Sequence, residues 1–200
     1  MAGRQRVFIM LGIHRWLRAG LIFTLVGALG ACSSRIPDAP EPLDLVKPIN
    51  VTEPSQAVRF EFETNARSFY PGRPYVLDLE VQRHAPGPDS GLDMDTVHVP
   101  FQLSLQRWVA GAWQDVATSD VYQARARNLG QPLPEWHASA AWRYAHQVSM
   151  DASRYRLNIV TLPMETDARY RLDVRTVQPT LLLQHYPAQL RVHADPLSGK

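Results

Sequence analysis

Three groups of residues in this 200-residue chain have types and spacings that can do chemistry. Cys32 is the single cysteine, so no disulfide can form within the chain. It stands at the downstream edge of the apolar run LIFTLVGALGA. The stretch HAPGPDSGLDMDTVH gathers Asp89, Asp93 and Asp95 between His84 and His98. Hard cations such as calcium take several carboxylate and carbonyl oxygens, and close aspartates on one loop can supply them. The spacing lacks the glycine and the terminal acid of a calcium-binding loop, which leaves a solvated loop between strands as the other reading. Trp108, Trp113, Trp136 and Trp142, with Tyr122 and Tyr144 nearby, pose a further pair of alternatives. They are either core and sheet cover, or a flat aromatic platform for the apolar faces of sugar rings.

Enzyme signatures are missing from the remainder. No Gly-x-Ser-x-Gly turn follows the apolar run, and His84, His98, His137, His146, His185 and His193 form no His-x-x-x-His pair. Ser198-Gly199-Lys200 has neither the glycine-rich start nor the following helix of a phosphate loop. The chain reads as non-enzymatic, with no catalytic residue and no cofactor.

The segment before Cys32 explains its position. Arg4, Arg6, Arg15 and Arg18 precede Leu21 without a single acid, an apolar stretch follows, and small residues close it. Basic, greasy, small is the order of an export signal. A spanning helix needs about 20 uninterrupted apolar residues, and this run is shorter. Either Met1 or Met10 serves as the start with the same product.

Leu29-Gly30-Ala31-Cys32 resembles the lipobox of bacterial lipoproteins. The resemblance implies that residues 1–31 are a signal peptide and that Cys32 carries a diacylglycerol on its thiol and an acyl chain on its freed amine. Two or more chains make a durable anchor where one is marginal. It also implies the periplasmic face of the outer membrane, with display at the surface open, because Ser33 replaces the aspartate usual for inner-membrane retention. Ordinary secretory cleavage near Ala28-Leu29-Gly30 is the alternative.

Without residues 1–31 the charge changes sign. Four of the 21 basic residues lie there, so the rest carries 17 against 19 acids, a net −2. That gives no support for nucleic-acid binding. Residues 32–56 are proline-rich and read as a tether whose second half docks as an edge strand. Residues 57–195 are expected to form the folded domain, and 196–200 a tail. Asn50-Val51-Thr52 matches a glycosylation sequon by chance.

From Val58 the hydrophobic period is two. VRFEF, YVLDLEV, VHVPFQLSLQRW, RYRLNIV and RYRLDV each alternate one face in and one face out. LQRWVAGAWQDV predicts a hairpin about Ala110-Gly111. In the crossover 119–141, Ser119 or Asp120 caps a short helix stopped at Gly130 and Pro132. HASAAWRYAHQV fits a helical face or a strand, the strand completing the sheet. The sum is all-β: an antiparallel sandwich of seven or eight strands, which the resemblance given next implies to be immunoglobulin-like.

This strand order also resembles proteobacterial lipoproteins with an uncharacterised immunoglobulin-like domain. The resemblance transfers no catalytic residue. The function expected is a membrane-anchored interaction domain, in a toxin-immunity or envelope accessory role, with the bilayer and an envelope protein as partners. A carbohydrate or peptidoglycan binder is the alternative. Oligomeric state is open.

Overall fold

The computed structural model describes residues 42–83, 92–151 and 153–195, all within one compact unit spanning Ile36–Lys200. Cys32, residues 1–31 that are expected to be a signal peptide, His84, Asp89 and the tail 196–200 lie outside the described residues.

Among the described residues nine antiparallel strands carry the fold: β1 (Asp44–Pro48), β2 (Ala57–Glu63), β3 (Tyr75–Gln82), β4 (Val99–Val109), β5 (Ala112–Val116), β6 (Trp142–Met150), β7 (Arg154–Leu162), β8 (Arg169–Thr176) and β9 (Ala188–Ala194). Their order in space is β1-β9-β3-β7-β6-β4-β8-β2, with β5 paired to β4 off this path. The proline-rich segment thus contributes a strand. Pro48 ends it, where a missing N–H costs least.

β6 shapes the whole. Its first half pairs with β4, Trp142 opposite Gln102 and Ala145 opposite Val99. Its second half pairs with β7, and the register slips between Gln147 and Ser149. A strand that changes partner across a bulge bends the sheet. The result is a nearly closed, barrel-like sheet. Its two terminal strands, β1 and β2, meet without a ladder: the Lys47 Nζ donates to the Arg59 carbonyl oxygen at 2.6 Å and sits 5.5 Å from the Phe60 ring centroid. A lysine along an edge blunts it against further pairing.

Alternation fills the interior. Phe60 and Phe62 of β2, Leu77 and Leu79 of β3, Phe101 and Leu105 of β4, Leu157 and Ile159 of β7, Leu172 of β8 and Leu190 of β9 are all buried. Each such side chain stabilises the fold by about 1.5–3 kcal/mol relative to exposure. β3 is buried on both faces. Its outward Asp78 and Glu80 lie under long side chains from the flanking strands. Arg154 and Arg191 reach Glu80 at 2.8 and 2.9 Å, and His193 and Arg156 reach Asp78 at 2.9 and 3.4 Å. Arginine stems cover apolar surface while their heads pair, which is how a central strand can carry two acids outward yet buried.

The barrel has two distinct ends. At one, the chain enters: the Leu43 N–H donates to Ser68 O, that of Thr64 to Ala168 O and that of Asp195 to Pro74 O. This end holds segments 64–74 and 163–168 and the β4–β5 hairpin. Buried phenols secure it, with the Tyr75 hydroxyl donating to Ser68 O at 2.9 Å and the Tyr170 hydroxyl accepting from the Glu165 N–H at 2.8 Å. At the other end, segments 49–56 and 177–187 are joined by hydrogen bonds from the Ser55 N–H to Thr176 O and from the Thr180 N–H to Val51 O.

Between β5 and β6 the chain crosses through α1 (Val121–Leu129). Of the two caps expected, Asp120 is the one used: its side chain accepts from the Gln123 N–H at 2.8 Å, and the Gln123 side chain returns to the Asp120 backbone N–H, a capping box. Gly130 ends the helix in the left-handed region, φ 64°.

Candidate functional site

The hairpin sets the first aromatic group. Ala110 and Gly111 have φ of 50° and 88°, the paired positive values of a tight two-residue turn. That turn places Trp108 directly opposite Trp113. Alternation along β4 and β8 puts both rings on the outer face beside Arg169 and Arg171. The indoles meet edge to face at 5.2 Å. The Arg171 guanidinium lies 4.3 Å from the Trp113 centroid and pairs with Glu61 at 2.7 Å. Arg169 stands 5.4 Å from Trp113 and 5.8 Å from Trp108. Each such cation–ring contact contributes about 0.5–1 kcal/mol at an exposed site. Trp108 keeps 40% of its surface exposed. Beside it opens a hollow of about 770 Å³ whose wall includes Asn65, Arg107, Glu165 and Arg169.

Trp136 and Trp142 belong elsewhere. Trp142 faces Gln102, six residues down β4 from Trp108, or about 20 Å at the rise of a strand. The four tryptophans therefore form two groups, not one platform. In the second group, Trp136 stacks on His98 at 3.8 Å and meets Tyr122 and Tyr144 edge-on at 4.7 and 5.2 Å. Burial holds His98 and His146 below the ordinary histidine value and pushes Tyr122 and Tyr144 above that of a free phenol.

Beneath Trp136 lies a buried pair. His137 Nε2 is 2.9 Å from Asp120 Oδ2, and both side chains are fully shielded from solvent. The same oxygen accepts the Tyr144 N–H at 2.9 Å. His137 Nδ1 has no hydrogen-bond partner, so the Nε2–H tautomer donating to Asp120 satisfies the geometry. An acid and a histidine in contact suggest proton transfer, and here both are shielded from solvent and tied into the packing. The pair fastens the helix cap to β6.

The aspartate loop behaves as local structure where it is described. Asp93 caps the 3-10 turn Met94–Thr96, accepting from the Asp95 N–H at 3.1 Å. Among the described residues no three His, Cys, Asp or Glu side chains are grouped to hold a metal. None of the described helices is long and apolar enough to cross a membrane.

Two features were not singled out in the sequence. One is the outward charged belt on β3; the alternation YVLDLEV shows that Asp78 and Glu80 point away from the core, but only the pairing order reveals their arginine cover. The other lies at the end away from chain entry. Leu181 and Leu182, on the 3-10 turn Leu181–Leu183, are 66% and 61% exposed. The adjoining groove of about 570 Å³ is lined by residues such as Pro48, Val51, Ala57, Leu183 and Tyr186, between the ends of β1 and β2. The triple leucine of TLLLQHY is its sequence signal.

The fold defines an antiparallel, barrel-like all-β protein. No protein-family model and no curated protein matches the chain. A crystal structure of a protein from Sulfurospirillum deleyianum aligns over 78% of this chain and 99% of its own, with 10% identity and a TM-score of 0.48.

Proposed function

We propose that this chain is a non-enzymatic lipoprotein, anchored through Cys32 to the periplasmic face of the outer membrane, whose β domain grips a protein partner. The domain is read as an immunoglobulin-like sandwich. One half is β1-β9-β3-β7, the other β4-β8-β2, and β6 is shared between them. The observation that carries the interaction reading is Leu181 and Leu182, adjacent and largely exposed beside the groove at the β1–β2 seam. Two neighbouring leucines kept in water cost solvation that a partner's surface recovers.

The test compares envelope proteins captured by the full chain and by the Leu181→Ser/Leu182→Ser variant. Both positions are exposed, so the substitutions should move stability by less than about 0.5 kcal/mol. The expected result is one protein identified by mass spectrometry with the native chain and lost with the variant. Equal capture by both refutes the site.

A second reading, a sugar or peptidoglycan ligand, is favoured by the exposed Trp108 ring beside its hollow. Arg169 and Arg171 compete for the ring faces such a ligand would use. Indole fluorescence titrated with muropeptides decides it, and a flat titration removes it.

A further inference from the structure

We infer that the rim of the barrel where the chain enters rests on the bilayer surface, with Tyr70, Trp108 and Trp113 seated at the headgroup level. This deepens the anchored reading and depends on it.

The described chain begins at Pro42, and the Leu43 N–H is bonded to Ser68 O, within the same loop as Tyr70. From that loop the Thr64 N–H reaches Ala168 O, and the next residue, Arg169, lies over both tryptophans. Chain entry, Tyr70 and the Trp108–Trp113 pair are therefore neighbours around one end. Ten residue steps separate Cys32 from Pro42, at most about 35 Å of chain in any conformation. The far end, with Leu181 and Leu182, is removed by the length of the strands, about 25 Å for the eight residues of β3. The leash ties the entry rim, not the far end, to the anchor; because it is longer than the barrel, the surface composition of the two ends decides which one meets the bilayer.

The composition of the rim suits an interface between water and hydrocarbon. Tyr70 and Trp108, 43% and 40% exposed, are the aromatic members of the exposed large apolar side chains among the described residues. Tryptophan and tyrosine concentrate at membrane interfaces because each has an apolar body and a polar tip. Segments 63–74, 107–113 and 163–169 carry four arginines and three acids, and Asp195 beside Pro74 balances them. With no net charge to draw it to anionic lipid, the rim relies on its rings. The contact should therefore survive high salt, unlike a basic patch. A protein partner with a complementary apolar surface is the competing occupant.

The test uses the full-length protein purified from its host's membranes, with the state of Cys32 read by mass spectrometry. It is reconstituted into vesicles of phosphatidylethanolamine and phosphatidylglycerol with brominated acyl chains, which quench indoles that approach them. The expected result is strong quenching of the native protein, insensitive to salt, and nearly complete loss of that quenching in Trp108→Phe/Trp113→Phe. That variant retains only Trp136 and Trp142 of the tryptophans beyond the apolar leader run, both on the other aromatic group, as the internal control. Quenching unchanged in the variant, or absent from the lipidated native protein, overturns the proposal. Loss of quenching on adding salt overturns its account of the driving force. Protection of the rim by a captured protein, with no quenching, assigns the surface to a partner and overturns it too. An unmodified Cys32 removes the anchored reading itself, an outcome seen in the mass spectrum before any fluorescence is measured.

Discussion

Replacing Asp120 with alanine should destabilise this fold by about 3–7 kcal/mol, a large effect for one carboxylate remote from the main core. The figure follows from what the side chain holds. Asp120 is 1% exposed and accepts three hydrogen bonds: the Gln123 N–H at 2.8 Å, His137 Nε2 at 2.9 Å and the Tyr144 N–H at 2.9 Å. Losing the cap on α1 costs about 1 kcal/mol. The two other donors sit in a water-poor cluster of Trp136, Tyr144 and His98, and each left unpaired costs about 1–3 kcal/mol. Asp120→Asn keeps one acceptor oxygen and should lose about half as much. Equilibrium urea unfolding of the three proteins measures the difference, and near-ultraviolet circular dichroism reports whether the packing around Trp136 loosens. A loss below about 1 kcal/mol for Asp120→Ala would refute the reasoning, since it would mean that water or a shifted neighbour satisfies those donors.

Glu80→Ala should be milder, about 1–3 kcal/mol. The acid is buried and receives Arg154, Gln189 and Arg191, yet Arg154 and Arg191 keep 42% and 29% exposure and can turn back to water. Thermal unfolding checks this, and a loss equal to that of Asp120→Ala would contradict it. Stability should also fall in two stages on acidification. Burial holds His98 and His146 below the ordinary 6.5, so under that pH the unfolded chain binds protons that the folded one refuses, and stability drops from about pH 6.5 downward. A further loss follows below about pH 4. Asp44 is held low by its hydrogen bond from Arg191; for Glu80, burial pushes upward but the bonds from Gln189 and Arg191 outweigh it. Urea midpoints across the range, with His146→Gln flattening part of the first stage, test both. A midpoint unchanged between about pH 7.5 and 5.5 would sink the histidine assignment.

The strands were legible because burial imposes a period of two that survives in VRFEF, YVLDLEV and RYRLDV without any knowledge of partners. The hairpin was legible for a local reason as well: Ala110-Gly111 meets the demand for positive φ. The cap of α1 narrowed to two adjacent residues, and tertiary contacts selected Asp120 because only its carboxylate reaches His137 and Tyr144. Partner order is different in kind. Nothing within Trp142–Met150 announces that the strand serves β4 with one half and β7 with the other, since register there is fixed by non-local contacts. The same limit split the tryptophans. Proximity along the chain grouped Trp108, Trp113, Trp136 and Trp142, whereas about 20 Å of β4 separates the two pairs. The stacking of His98 on Trp136 joins residues 38 positions apart, and no local pattern records it.

The distribution of charge bears on where this domain can bind. Around the middle of the barrel the outward charges largely answer one another: Asp44 with Arg191, Glu80 with Arg191 and Arg154, Asp78 with Arg156 and His193, Arg59 with Asp173, Glu61 with Arg171. Pairs so matched leave little field to steer a ligand, and separating them to admit one would cost the bonds they already make. Several of the exposed large apolar side chains are displaced to the ends, Tyr70 and Trp108 at chain entry, Leu181 and Leu182 opposite. A self-neutralised waist with apolar groups at both ends suits a domain that is held at one end and binds at the other. It predicts that the two functions are separable, because no described contact couples the Trp108 rim to the Leu181 turn except through the rigid sheet itself. Trp108→Phe/Trp113→Phe should leave partner capture intact, and Leu181→Ser/Leu182→Ser should leave bilayer quenching intact; a variant that abolished both would show that the ends act together.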